Sequence, residues 1–257
     1  MMLALDTLSK HFGGVRAVDG VTLTIREGEI FGLIGPNGSG KSTTVNLITG
    51  LYAPTAGTVT LDGRDLTALP QHTRTARGIA RTFQNIRLFG NLTVAQNLWV
   101  AQNGQEQRRQ HFLSRWFRAG GAQDPDIAEL LQFSRLYSKR DTLAGNLSFG
   151  EMRRLEMARA LASDPRILLL DEPAAGASLE DAELLAERIR AVRDRGVTVL
   201  LIEHMMELVM GITDRIAVLN FGQKIAEGTP QEIQTDPQVR AAYLGSGHDE
   251  KMERASA

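Results

Sequence analysis

Short β-type runs, Val21 to Ile25, Ile30 to Ile34, Ile167 to Leu170, Val197 to Ile202 and Arg215 to Leu219, alternate along this chain with segments of helical periodicity. That alternation predicts an α/β fold with a largely parallel sheet. The central runs are continuously apolar, as strands covered on both faces are. Leu3 to Leu8, Val15 to Ile25 and Thr58 to Leu61, punctuated by Gly13-Gly14 and Asp62-Gly63, predict an antiparallel β-layer beside it. Between Leu92 and Leu147 the pattern turns helical, with Gly120-Gly121 and Asp124-Pro125 as breakers. The expected organisation is one domain over 1–245. Residues 1–91 and 164–245 form its core and β-subdomain, 92–163 an inserted helical subdomain, and 246–257 a polar tail. No internal repeat or low-complexity tract interrupts it.

Composition narrows the partners. In 257 residues, 29 lysines and arginines nearly balance 30 aspartates and glutamates, so no global field draws nucleic acid or an anionic membrane. Cysteine is absent, which excludes a disulfide framework or a thiolate metal site and is compatible with a cytosolic address. Met1 to Asp6 has neither the basic region nor the long apolar run of a secretory signal, and reads as a first strand. The longest apolar runs fall far short of the roughly 20 residues that span a bilayer. The chain is therefore expected to be soluble by itself.

Chemistry enters at Gly35-Pro36-Asn37-Gly38-Ser39-Gly40-Lys41-Ser42, which satisfies G-x-x-x-x-G-K-[ST] directly after an apolar strand and before the helical run Ser42 to Gly50. Glycines let backbone N–H groups turn toward phosphate oxygens, the helix presents its positive end, and Lys41 adds a full charge at the β/γ-phosphates. Ser42 offers an oxygen to Mg²⁺, and Thr43 follows it among the expected nucleotide contacts. A chance glycine-rich turn is common for looser patterns; eight matched positions in a strand–loop–helix setting count against it here. The expected core is that of a P-loop nucleoside triphosphatase.

Ile167-Leu168-Leu169-Leu170-Asp171-Glu172-Pro173 sets two acids at the end of a buried strand, where charge is costly unless a cation compensates it. A Mg²⁺–nucleotide complex is such a compensator. In this reading Asp171 supports Mg²⁺ and Glu172 accepts a proton from the attacking water. Two ordinary strand-end acids would be the better reading without the phosphate loop upstream.

Leu147-Ser148-Phe149-Gly150-Glu151 resembles the signature motif of the ABC ATPases, usually Leu-Ser-Gly-Gly-Gln, with Phe149 and Glu151 as departures. Ser148 and the backbone at Gly150 suit a γ-phosphate at a helix N-terminus; Glu151, if turned inward, would weaken that grip. Ser148 and Glu151 also form a capping box in their own right. The resemblance runs from Leu3 to about Leu244. It implies that Phe12 stacks on adenine, that Gln84 reaches Mg²⁺ and the lytic water, and that His204 contacts the γ-phosphate and orients water. Taken singly these would be a turn aromatic, a surface glutamine and a structural histidine. In Ala174-Ala175-Gly176-Ala177-Ser178, Ser178 replaces the family's usual aspartate, and with Asp181 it makes a helix start.

The stretch Arg81 to Phe89, then Asn91-Leu92-Thr93-Val94, together with Ile225 to Pro230 and Ala242 to Gly245, resembles the ATPases of bacterial importers for branched-chain amino acids and related amides or urea. The resemblance implies ATP and Mg²⁺ as cofactors, transmembrane permease subunits, a substrate-binding protein, and a second ATPase subunit, identical or paralogous. No nucleic acid is expected. The implied address is peripheral, on the cytoplasmic face of the inner membrane, and the transported compound never touches this subunit. Arg108 to Arg118 mixes cations with aromatics, and its i,i+4 pairs Phe112 with Trp116 and Leu113 with Phe117 read as one apolar helix face with a solvated basic face. Two rivals stay open: a soluble ABC-type ATPase in DNA repair or translation, and an ATP-gated binding module with little turnover.

Overall fold

The computed structural model describes residues 2–82, 86–103 and 124–244. They divide between two compact units, 1–75 with 169–257 and 76–168. The cationic-aromatic stretch at 108–118 and the polar tail lie outside the described residues.

The larger unit opens with β1 (Leu3–Phe12) and β2 (Val15–Ile25), an antiparallel pair turned at Gly13. Next come β3 (Ile30–Ile34), buried at every position, and α1 (Lys41–Thr49). β4 (Ala56–Leu61) and β5 (Arg64–Asp65) complete a four-stranded antiparallel sheet in the order β2-β1-β4-β5. Then follows the short α2 (Gln71–Ala76). The smaller unit holds β6 (Ile79–Arg81), α3 (Val94–Asn103), α4 (Pro125–Phe133) and α5 (Phe149–Leu161). The chain crosses back in β7 (Ile167–Asp171), whose first residues neighbour β6.

From there α6 (Leu179–Asp194), β8 (Thr198–Ile202), α7 (Met206–Ile212) and β9 (Arg215–Asn220) return the chain to the sheet. β10 (Gln223–Gly228), α8 (Pro230–Thr235) and α9 (Pro237–Leu244) finish the described chain. The strand order is β10-β9-β3-β8-β7, with β3 parallel to both β8 and β9, and β10 antiparallel to β9. The fully buried β3, β7 and β8 meet the expectation drawn from their unbroken apolar runs. The antiparallel edge strand β10, whose residues are half-buried and mixed in polarity, had no such signal.

Behind the strand ends, Ile34, Met206, Val209, Val218, Val239 and Tyr243 belong to one buried cluster. The terminal helices therefore back the strand that leads into the phosphate loop. A second brace is polar. Arg74, almost wholly buried, donates from Nε to the Leu69 carbonyl (2.9 Å), from Nη1 to those of Leu47 (2.6 Å) and Ile48 (2.9 Å), and from Nη2 to that of Thr67 (2.9 Å). Two of these acceptors lie in the last turn of α1, whose carbonyls have no partner within the helix. Burial lowers the Arg74 pKa, and the Asp65 carboxylate opposes that shift.

Replacing Arg74 with methionine fills the space and strands those acceptors. Arg74→Met is expected to lower the unfolding free energy by about 3–5 kcal/mol, read as a fall in the urea midpoint at unchanged slope.

Candidate nucleotide-binding and hydrolysis site

The turn after β3 has the shape that only glycine permits. Gly35 sits at φ +150°, and a Cβ there would lie 2.1 Å from the Leu219 carbonyl oxygen and 2.6 Å from Ser39 Oγ. Gly40, at φ +106°, would set a Cβ 2.5 Å from the Ala17 carbonyl. Gly40 is also the N-cap of α1 and brings no side-chain cap, so the first N–H groups of that helix keep their donor capacity for an anion. The hairpin tip between β9 and β10 holds the loop in place: Gly222 N–H donates to the Ser39 carbonyl (3.0 Å), and the Gly222 carbonyl accepts from Asp19 N–H (2.8 Å).

Lys41 is buried, and its Nζ donates to the carbonyls of Gly35 (2.7 Å) and Pro36 (3.0 Å). Burial lowers its pKa, against the opposing pull of the Glu172 and Asp171 carboxylates. The two motifs, far apart in sequence, thus act on one another electrostatically. Ser39 Oγ is buried and has no hydrogen-bond partner among the described residues. A buried hydroxyl in a glycine-lined turn at a helix N-terminus, beside a desolvated ammonium, is a donor set made for phosphoryl oxygens. Pro36, Asn37 and Gly38 complete the turn; Ser42, exposed, and Thr43, half-buried, open α1.

Asp171 ends β7 and is buried. Glu172 follows in the left-handed region, φ +49°, which costs a residue with a Cβ roughly 1–2 kcal/mol. Its N–H donates to the Ile202 carbonyl (2.9 Å), tying the end of β7 to the end of β8. His204 stands just past β8 with its side chain 54% exposed, Nδ1 lying 3.5 Å from the Glu203 carboxylate. Glu203, which sequence reasoning passed over, is buried and accepts hydrogen bonds from the Ala174, His204 and Met205 amides. Ser178 caps α6, accepting from Asp181 N–H (3.1 Å), as its spacing predicts.

Phe12, 44% exposed, meets Tyr52 edge-on at 5.3 Å between ring centroids, with Lys10 Nζ 5.2 Å from the Phe12 centroid. Tyr52 is a partner no local pattern revealed. Gln84 lies outside the described residues.

In the smaller unit, Ser148 caps α5 and the reciprocal capping box with Glu151 is complete. Glu151 is turned onto its own helix: Oε2 accepts from Ser148 N–H (3.0 Å), while Oε1 lies 2.6 Å from Lys139 Nζ and 3.7 Å from Arg154 Nη2. Its charge is compensated where it sits. The Lys139 hydrogen bond, then that of the Ser148 amide, holds its pKa down at about 2. Phe149 is 59% exposed with the Arg153 guanidinium 4.8 Å from its ring centroid, and a Cβ added at Gly150 would meet open space.

Residues 18–175 match the ABC transporter family. The chain belongs to that family. A second match, over residues 223–249, is to the branched-chain amino acid ATP-binding cassette transporter segment. The cassette is 45% identical over 251 residues to the high-affinity branched-chain amino acid transport ATP-binding protein LivG of Salmonella typhimurium, covering 95% of this chain and 98% of the relative. It is 42% identical, at the same coverage, to BraF of Pseudomonas aeruginosa, which bears the same description. Among solved structures, the ADP conformation of MJ1267, an ATP-binding cassette of an ABC transporter, superposes with a TM-score of 0.83 at 32% identity, over 95% of this chain and 98% of that one. The cassette is an ATPase subunit of α/β fold, and among its described residues no helix is long and apolar enough to cross a membrane.

Because the folded Glu151 pKa lies below its ordinary value of 4.5, its stabilisation is complete above that value and is lost as pH falls toward about 2. The gap in thermal unfolding midpoint between the wild type and Glu151→Gln is therefore expected to stay constant above about pH 6 and to close progressively below pH 4.5.

Proposed function

We infer that this cassette hydrolyses ATP to drive an importer for branched-chain amino acids or related small amides. One observation carries the chemistry: the desolvated Lys41 lies within the electrostatic reach of both Asp171 and Glu172. The importer assignment rests on the likeness to LivG and BraF and on the match over 223–249.

The loop amides, Ser39 Oγ and Lys41 bind the β- and γ-phosphates, while Phe12 offers adenine an exposed ring face. Ser42 and Asp171, with Gln84, are the residues that would hold Mg²⁺. Their oxygen donors suit that ion, which takes one or two carboxylates and completes its shell with phosphate and water. Bound there, Mg²⁺ would supply neutralisation of the charge on the phosphoryl groups. Glu172 accepts the proton of the attacking water, and the exposed His204 imidazole orients that water against the γ-phosphate.

A second ATPase subunit completes each site by presenting its Ser148 turn, so ATP favours a closed pair touched from both sides. Loss of the γ-phosphate removes that differential contact and reopens it. Glu151, held by Lys139, is turned back on its own helix and puts no opposing charge into that grip. The movement is passed to transmembrane permease subunits on the cytoplasmic side of the membrane, fed by a substrate-binding protein.

Glu172→Gln is expected to cut steady-state turnover by at least about 10²-fold and to leave an ATP-trapped dimer on size exclusion; wild-type turnover would remove Glu172 from the role of base. A mild-detergent pull-down from membranes of the source cell is expected to recover integral permease subunits. Recovery of ribosomes or DNA without them overturns the importer reading.

A further inference from the structure

Glu203 is a buried carboxylate that the reaction, as outlined, does not use. Its side chain has no solvent exposure. Such a charge is costly inside a protein unless hydrogen bonds satisfy it, and here three backbone amides donate to it. Oε1 accepts from Ala174 N–H at 2.7 Å. Oε2 accepts from His204 N–H at 2.8 Å and from Met205 N–H at 3.2 Å.

Where those amides lie is the decisive fact. Ala174 follows Glu172-Pro173 directly, in the loop that leaves β7, whereas His204 and Met205 form the loop that leaves β8. The two oxygens of one carboxylate thus end two different loops, one carrying the general base and the other the histidine. A second tie crosses the same junction, from Glu172 N–H to the Ile202 carbonyl. Together the two ties bracket Glu172, whose left-handed backbone would relax if the loop were released.

We propose that Glu203 is a positioning residue for hydrolysis, clamping the Glu172 loop and the His204 backbone in one register. The clamp touches neither the phosphate loop nor Lys41, so it acts on the chemical step and not on nucleotide capture. It rests on the roles given above to Glu172 and His204.

Glutamine is the informative replacement. It keeps the volume but turns one acceptor oxygen into an NH₂ group that must face an amide donor, so one of the two loops loses its tie. In full-length protein, with ATP concentration varied, Glu203→Gln is expected to lower kcat by about 10- to 100-fold, as misplacement of catalytic groups by about 1 Å does. KM for ATP should change by less than about threefold. Glu203→Asp, one methylene too short to reach both loops, serves if the glutamine variant does not fold, and is expected to show the same split.

Wild-type kcat in either folded variant overturns the proposal. So does a parallel loss of kcat and ATP binding with a lowered unfolding midpoint, the mark of a merely structural carboxylate. Measured alongside, Glu172→Gln separates the two levels. If it is inactive while Glu203→Gln turns over normally, the clamp alone fails; if it too turns over normally, the base assignment fails and takes the clamp with it.

Discussion

The lack of space at Gly35 governs the larger unit. A single methyl there would overlap the Leu219 carbonyl and crowd Ser39 Oγ, so β3 can enter its loop only as glycine and only hard against the end of β9. From that contact the remaining constraints follow. The β9–β10 turn is pressed onto the loop, its Gly222 N–H donating to the Ser39 carbonyl. Ile34 is packed from behind by α7 and α9. The far end of α1 is pinned by the buried Arg74 guanidinium. A phosphate-binding loop must hold its amides in a geometry that they would not take unaided, and this one is braced from the strand side, the hairpin side and the helix side.

What could be read from sequence was what is local. The phosphate loop, the acid pair at the end of β7, the Ser148–Glu151 capping box and the Ser178 cap each occupy a few consecutive residues, and each appears where its spacing places it. The all-buried strands were legible for the same reason, because five adjacent apolar residues are their own signal. Arg74, Glu203, Lys139 and Tyr52 were not legible. Each is an ordinary residue type whose meaning depends on a partner remote in the chain: the Leu47 carbonyl 27 residues from Arg74, the Ala174 amide 29 from Glu203. No periodicity encodes such a pairing. β10 was missed for a related cause, since an edge strand of mixed polarity has no alternation to announce it.

The departures in the signature stretch also gain a physical meaning. An acid at position 151 would be damaging only if it faced the place where a γ-phosphate is to be held. Its side chain is instead bound to the Ser148 amide and to Lys139, so the substitution of an acid for the family's usual glutamine comes with its own counterion. Phe149 is a different kind of departure. Its ring remains largely exposed, with Arg153 against it, and backbone access at Gly150 is left open.

Charge is handled in three ways at the ends of β7 and β8. Glu203 is buried and satisfied by amide dipoles, so it needs no cation. Asp171 is buried at the strand end, and Glu172 is half-buried on a left-handed backbone; both exert their field on Lys41. Burial alone would push that ammonium toward its neutral form, which could not bind a polyphosphate as a cation. The acids oppose this, so the strand-end pair and the lysine of the phosphate loop are electrostatically linked. A phosphate loop with no acids nearby would hold a weakened lysine, and a strand-end acid pair with no lysine nearby would lack the positive charge that offsets its burial.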